Sequence, residues 1–85
     1  MKEIKYVITD ELGMHARPAG QLVKVAASCP CDVKVAANGN VVDAKRIMGV
    51  MRLAAKKGQE LTITCEGTDE EACAAKLEEF LKENL

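Results

Sequence analysis

Aromatic side chains are nearly absent from this 85-residue chain, in which Tyr6 and Phe80 are the only two. With so few rings there is no platform on which nucleotide bases could stack, so nucleic acid is not an expected partner. Proline is scarce too, and with 48% hydrophobic and 29% charged residues the composition is that of a compact globule rather than a disordered chain. No apolar run is long enough to span a bilayer, and the opening "MKEIKYVITDEL" mixes charges into its apolar residues, which fits neither a secretory leader nor a membrane segment. A cytoplasmic protein without membrane insertion is expected. Repeats, linkers and low-complexity runs are also missing, so residues 1–85 are expected to form one domain. A chain of this length buries only about 60% of the surface its unfolded form exposes, which leaves little room for a deep internal site. Its chemistry should sit at the surface.

Paired metal-ligand spacing is missing as well. The four cysteines stand at positions 29, 31, 65 and 73, with no C-x-x-C pair and no secretory context that would favour disulfides. "CPC" supplies two sulfurs without a second pair to match. Cys65 falls on the apolar phase of "LTITCE" and Cys73 on the apolar face of the last helix, where a reduced cysteine acts as a small hydrophobe. Structural cysteines, no metal and no cofactor are therefore expected.

Charge is present in both signs but unevenly placed. Residues 17–57 carry eight Lys or Arg against Asp32 and Asp43, a net of +6, whereas residues 58–85 carry eight acids against Lys76 and Lys82, a net of −6. A basic middle suits an acidic protein partner; charge alone does not separate that from a solvated face.

Hydrophobic periodicity divides the chain into seven elements. "EIKYVIT" places Ile4, Tyr6 and Ile8 on one face of a strand, and a helix over about Ala16–Ala27 carries the stripe Ala19, Leu22, Val23 and Ala26. "DVKVAANGNVVDA" reads as two strands joined by a type I′ turn at Asn38-Gly39. A short helix over Ile47–Leu53 follows, then the alternating strand "ELTITCE". Thr68 and Glu71 offer a capping box for a last helix whose apolar face holds Cys73, Leu77, Phe80 and Leu81. The order β-α-β-β-α-β-α, with strands apolar on one side only, predicts an α+β open-faced β-sandwich: a four-stranded antiparallel sheet with three helices on one face.

The only histidine stands in "GMHARPAGQLV". Pro18 belongs in the first helical turn, where a missing N–H removes no intrahelical bond, so His15 falls at or next to the N-cap. Free backbone N–H groups and the positive end of the helix dipole make that end a site for an anion. Arg17 adds a planar donor fork that can reach oxygens attached to the ring. These residues can hold a phosphoryl group on a histidine nitrogen; His15 as a simple cap with Arg17 as a solvated charge is the other reading of the same stretch.

"GMHARPA" at 13–19, followed by "AKRIMGVMRL" at 44–53 and then "EGTDEEAC", resembles the HPr family, the histidine-containing phosphocarrier proteins of the bacterial phosphoenolpyruvate-dependent phosphotransferase system. The resemblance runs along nearly the whole chain. It implies the same four-stranded fold with three helices, and a cytoplasmic monomer that is a stoichiometric carrier rather than an enzyme. It further implies that His15 accepts a phosphoryl group through Nδ1 from phosphorylated Enzyme I and passes it to the A domains of sugar-specific enzymes II. Ala16 and Arg17 carry over as the phosphate-binding residues and Pro18 as the residue that shapes the helix start. The docking surface carries over to Ile47, Met48 and Met51, with Gly20, Lys24, Arg52 and Ala54 at its rim. On the short helix Val50 and Leu53 can face the sheet, leaving the methionines outward, where their adaptable shape suits several partners. Periodicity alone leaves open that they are core filler.

Three positions depart from the family pattern. Arg46 occupies the place of a serine that a dedicated kinase phosphorylates in many Gram-positive members, Leu12 stands where a small polar residue is common, and Ala54 replaces a usual glycine. Two other function classes fit the size and element order. A small metal-carrier domain would need paired cysteines in the loop after the first strand, where this chain has His15 and Arg17. An HPr-like regulatory binding protein without phosphotransfer is the other.

Overall fold

The structure is a computed structural model that describes residues 1–53 and 55–85. Its elements are β1 (Lys2–Val7), α1 (Ala16–Ala27), β2 (Asp32–Ala37), β3 (Asn40–Asp43), α2 (Ile47–Arg52), β4 (Glu60–Glu66) and α3 (Glu70–Asn84). The order is the one that periodicity predicts. The strands form a single antiparallel sheet in the order β1-β4-β2-β3, and the three helices cover one of its faces.

Register explains why one face is covered and the other open. Ile4 pairs with Ile63, Ile63 with Val35 and Val35 with Val42, which lays an apolar row across all four strands on the helix side. One residue along, Glu3 pairs with Thr64, Thr64 with Lys34 and Lys34 with Asp43, and this row faces solvent. Because side chains alternate with period two, slipping any strand by one residue would exchange the two rows. Leu22, Val50, Leu77 and Leu81 are fully buried above the apolar row, as is Leu61 on the same face of β4. Each such side chain contributes about 1.5–3 kcal/mol relative to exposure.

The turns carry the expected chemistry in one place and depart from it in another. Asn38 and Gly39 take φ values of 53° and 80°, as a type I′ turn requires. The Asn38 Nδ2 also donates to the Leu53 carbonyl at 3.0 Å, tying the hairpin to the end of α2. The capping box of Thr68 and Glu71 does not form. Asp69 is the N-cap of α3, in the left-handed conformation at φ 56°, and no side chain caps the helix. Glu71 turns to β1 instead, with its Oε1 3.5 Å from the Lys2 ammonium, while Glu70 and Glu71 place negative charge in the first turn. The short helix closes one residue earlier than predicted, with Leu53 as its C-cap. β1 ends at Val7, although Ile8 stays buried as the next residue of the same face.

Candidate functional site

The loop that delivers the chain into α1 is held on both sides. Gly13 has φ +64°, and a Cβ there would collide with the Ala55 carbonyl. The adjacent Met14 N–H donates to that same carbonyl at 2.8 Å, and the Met14 side chain is buried. Asp10 shapes the approach, since its Oδ1 accepts from the Leu12 N–H at 2.8 Å and its carbonyl from the Gly13 N–H at 3.0 Å. The Leu12 side chain itself is exposed, so the departure from a small polar residue leaves the loop's backbone bonds in place. On the far side, the Thr9 hydroxyl and the Asp10 N–H each donate to the Leu85 oxygen at 2.8 Å. The end of α3 therefore lies beside the loop.

His15 is the N-cap of α1 with φ −86° and ψ −175°, and its carbonyl accepts from the Ala19 N–H at 3.0 Å. Its side chain makes no capping bond. The ring is half-buried, and His15 closes the helix through its backbone carbonyl alone, which leaves the ring nitrogens out of the cap. Pro18, buried in the first turn, has no N–H, and neither the Ala16 nor the Arg17 N–H donates to a backbone carbonyl among the described residues. Two donors thus remain at the positive end of a twelve-residue helix.

Charge at this helix end runs opposite to that of α3. The first turn of α1 holds no acid and instead carries Arg17, an exposed cation that the dipole disfavours unless an anion stands nearby. Arg17 takes part in none of the ion pairs among the described residues. A surface depression brings His15, Arg17 and Pro18 together with Asp10, Gln21 and Glu83. The arrangement suits an oxyanion carried on, or presented to, the His15 ring.

Of the remaining predicted residues, Ile47, Met48 and Met51 are exposed on α2 while Val50 and Leu53 are buried. The reading of the two methionines as core filler is thereby excluded. Lys24 and Arg52 are exposed and Gly20 is half-buried. α1 packs against α2, which brings these residues to adjoining helices. Arg46 is the N-cap of α2 without a side-chain cap bond, and its Nε lies 4.0 Å from Asp43 Oδ2. It does not line the depression around His15. Ala54 lies outside the described residues.

A family model described as the PTS HPr component phosphorylation site matches residues 2–83. The chain belongs to the HPr family. A histidine-containing phosphocarrier protein of Mycoplasma is 33% identical, with a TM-score of 0.93 over 96% of this chain and 93% of that one. HPr from Thermoanaerobacter tengcongensis is 34% identical, with a TM-score of 0.92 over 98% and 93%. Crh of Bacillus subtilis, a catabolite repression protein seen as a swapped dimer, is 35% identical, with a TM-score of 0.76 over 100% and 98%. The fold and family are those of phosphocarrier proteins.

Sequence reasoning missed the supports of the site. Gly13 carried a usable signal, since a glycine ahead of a helix often marks a left-handed residue. Asp10, Glu83 and Leu85 carried none, because the chain end meets the first loop only in three dimensions.

Proposed function

We propose that His15 carries a phosphoryl group, accepted from phosphorylated Enzyme I and passed to the A domains of sugar-specific enzymes II. The chain is then a stoichiometric carrier in bacterial sugar uptake, reset at each transfer and not itself an enzyme. A lone pair on the His15 ring nitrogen, Nδ1 by family likeness, forms a bond to phosphorus as the donor's bond to phosphorus breaks. Negative charge spreads over the three equatorial oxygens during that displacement, and no covalent help from other side chains is needed. The Ala16 and Arg17 N–H groups and the helix end oppose this charge, and the Arg17 guanidinium can take two oxygens at once. Transfer to the acceptor is the same displacement in reverse. Ile47, Met48 and Met51, rimmed by Gly20, Lys24 and Arg52, are the docking surface in this reading, with basic side chains facing an acidic partner.

The observation that carries the proposal is the His15 ring, placed at the N-cap yet making no cap bond, ahead of a first turn with Arg17 and no acid. Incubation with phosphoenolpyruvate and Enzyme I, followed by intact mass measurement, tests it. One acid-labile, base-stable phosphoryl group per chain is expected, and none on His15→Ala. Phosphorylation of that variant by Enzyme I would overturn the assignment.

Likeness to Crh over the full chain supports a second reading, a regulatory binding protein that carries no phosphate. It predicts target binding without any mass gain in the same assay. In the carrier reading residues 1–85 act as one cytoplasmic domain and as a monomer. Sedimentation as a dimer would contradict the monomer without favouring either reading, since a dimer is described for both HPr of Thermoanaerobacter tengcongensis and Crh.

A further inference from the structure

All four cysteines are buried, and they converge at one end of the molecule. Cys29 follows α1, Cys31 precedes β2, Cys65 is in β4 opposite Val33, and Cys73 is on the buried face of α3. The sulfurs of Cys29, Cys31 and Cys73 all lie within 4.8 Å of one another. Cys65, paired with Val33 in the sheet, lies beside Cys31. Because α1 has twelve residues, this cluster is separated from His15 by the length of the helix, about 18 Å.

We propose that Cys29, Cys31 and Cys73, with Cys65 beside them, form a buried site for one soft thiophilic ion, Zn2+ or Cu+. With all sides within 4.8 Å, the centre of the triangle is no more than about 2.8 Å from each sulfur, so each need move inward by about half an ångström or less to reach a Zn–S bond of about 2.3 Å. Thiolate donors without carboxylates or imidazoles select soft ions over Mg2+ or Ca2+. Cys-Pro-Cys brings two donors from one turn, and the strand and helix that supply the others are fixed by the fold. Gly67 packs against Cys31, where a Cβ would stand 3.4 Å from the Cys31 Cα and Cβ.

Binding moves protons and no electrons. Each ligating sulfur gives up its proton to solvent as its bond to the ion forms, so no oxidant or reductant is required. Burial holds three of the thiols protonated, pushing Cys29 up to about 12 and Cys65 up to about 11, and raising Cys31 as well. The Cys29 thiol now donates to the Val25 carbonyl at 3.5 Å, a bond that ligation would release. The half-buried Lys45 ammonium, 3.1 Å from the Cys29 carbonyl oxygen, supplies positive charge beside the anionic thiolate cluster.

The test is titration of the reduced, metal-stripped full chain with Zn2+ against a chromophoric chelator, and with Cu+ under anaerobic conditions. Co2+ serves as a spectroscopic stand-in for Zn2+. One equivalent of Zn2+ or Cu+ should bind, with sulfur-to-metal charge-transfer absorption for Co2+ and a higher melting temperature in the metal that binds. His15→Ala should bind equally well. Cys31→Ala and Cys73→Ala should lose binding and the melting shift while keeping the metal-free circular dichroism spectrum. Failure of the wild type to bind either ion overturns the proposal without reference to any variant. So does binding that persists in both cysteine variants, binding that requires His15, or a disulfide that forms within the cluster while the ion is present.

Discussion

The Met14 N–H donates to the Ala55 carbonyl at 2.8 Å, and this one bond joins the loop before α1 to the segment that follows α2. His15 and the exposed Met48 and Met51 of α2 are therefore held by a common support. Gly13 lies against the same carbonyl with no room for a side chain.

Gly13→Ala is expected to lose stability and transfer rate together. The left-handed backbone alone costs about 1–2 kcal/mol with a Cβ present, and the collision with Ala55 adds to it. Urea unfolding measures the first effect and transfer from Enzyme I the second. Wild-type stability would mean that the close approach is not as described.

Arg17→Lys keeps the charge but loses the planar fork. The fold should be unchanged, because Arg17 is exposed and joins no ion pair among the described residues. Transfer should slow by at least about tenfold, below the full cost of removing one donor to a developing oxyanion because the ammonium still attracts it. Rapid-quench kinetics with phosphorylated Enzyme I measure the change, and an unaltered rate would make the guanidinium geometry irrelevant.

Met48→Asp and Met51→Asp place a carboxylate on an exposed apolar patch. Melting temperatures should stay near wild type, whereas affinity for Enzyme I should fall by about tenfold or more, because the interface would have to desolvate the new charge. Calorimetric titration reads the loss; unchanged affinity would move docking elsewhere.

Arg46 sits at the N-cap of α2 without an acceptor to offer the helix. Arg46→Ser should gain on the order of 1 kcal/mol as a cap and remain a good acceptor of phosphate. Arg46→Asp gains from the dipole but faces the Asp43 carboxylate, now 4.0 Å from the Arg46 Nε, so its stability should not exceed that of the serine variant. It should be the poorer acceptor, most visibly at low salt where charge steering is least screened. Thermal melts and transfer rates at two ionic strengths give both answers. A destabilised serine variant would mean that position 46 cannot cap.

Alkaline stability should report the buried thiols in the metal-free protein. Their ordinary value is 9.0, and burial raises it in the folded chain to about 12 for Cys29 and about 11 for Cys65. An acid whose folded value is raised stabilises the fold fully below the unfolded value. That contribution is lost as pH climbs from about 9 toward 11 and 12. Stability should therefore fall across that window, and the slope should be shallower in Cys29→Ala and Cys65→Ala. Equal slopes in wild type and variants would show that the thiols are not the cause.

The elements were legible in the sequence because each is specified locally. Alternation in "ELTITCE", the stripe Ala19, Leu22 and Ala26, and Asn38-Gly39 at the hairpin each need only their neighbours. His15, Arg17 and Pro18 were legible for the same reason, since all three belong to one helix start. What escaped was long-range. The Thr9 hydroxyl meets Leu85 across 76 positions, and Asn38 meets Leu53 across 15, with no periodicity to announce either. Cys65 and Cys73 read correctly as buried, but their meeting with Cys29 and Cys31 depends on β4 lying between β1 and β2, which no local pattern states. The capping box at Thr68 failed because the N-cap is Asp69 in the left-handed conformation, which leaves Thr68 one residue outside the helix.

The central claim is that the unpaired N–H groups at the start of α1 receive a phosphoryl group held on His15. Nuclear magnetic resonance of the uniformly 15N-labelled chain, before and after phosphorylation by Enzyme I, tests it most directly. The account predicts phosphorus coupling to a His15 ring nitrogen, with the Ala16 and Arg17 amide protons moving downfield as they begin to donate and the amides around Cys29 and Cys73 staying in place. A phosphoryl signal on any other residue, or one on His15 that leaves the Ala16 and Arg17 amides unmoved, would contradict it.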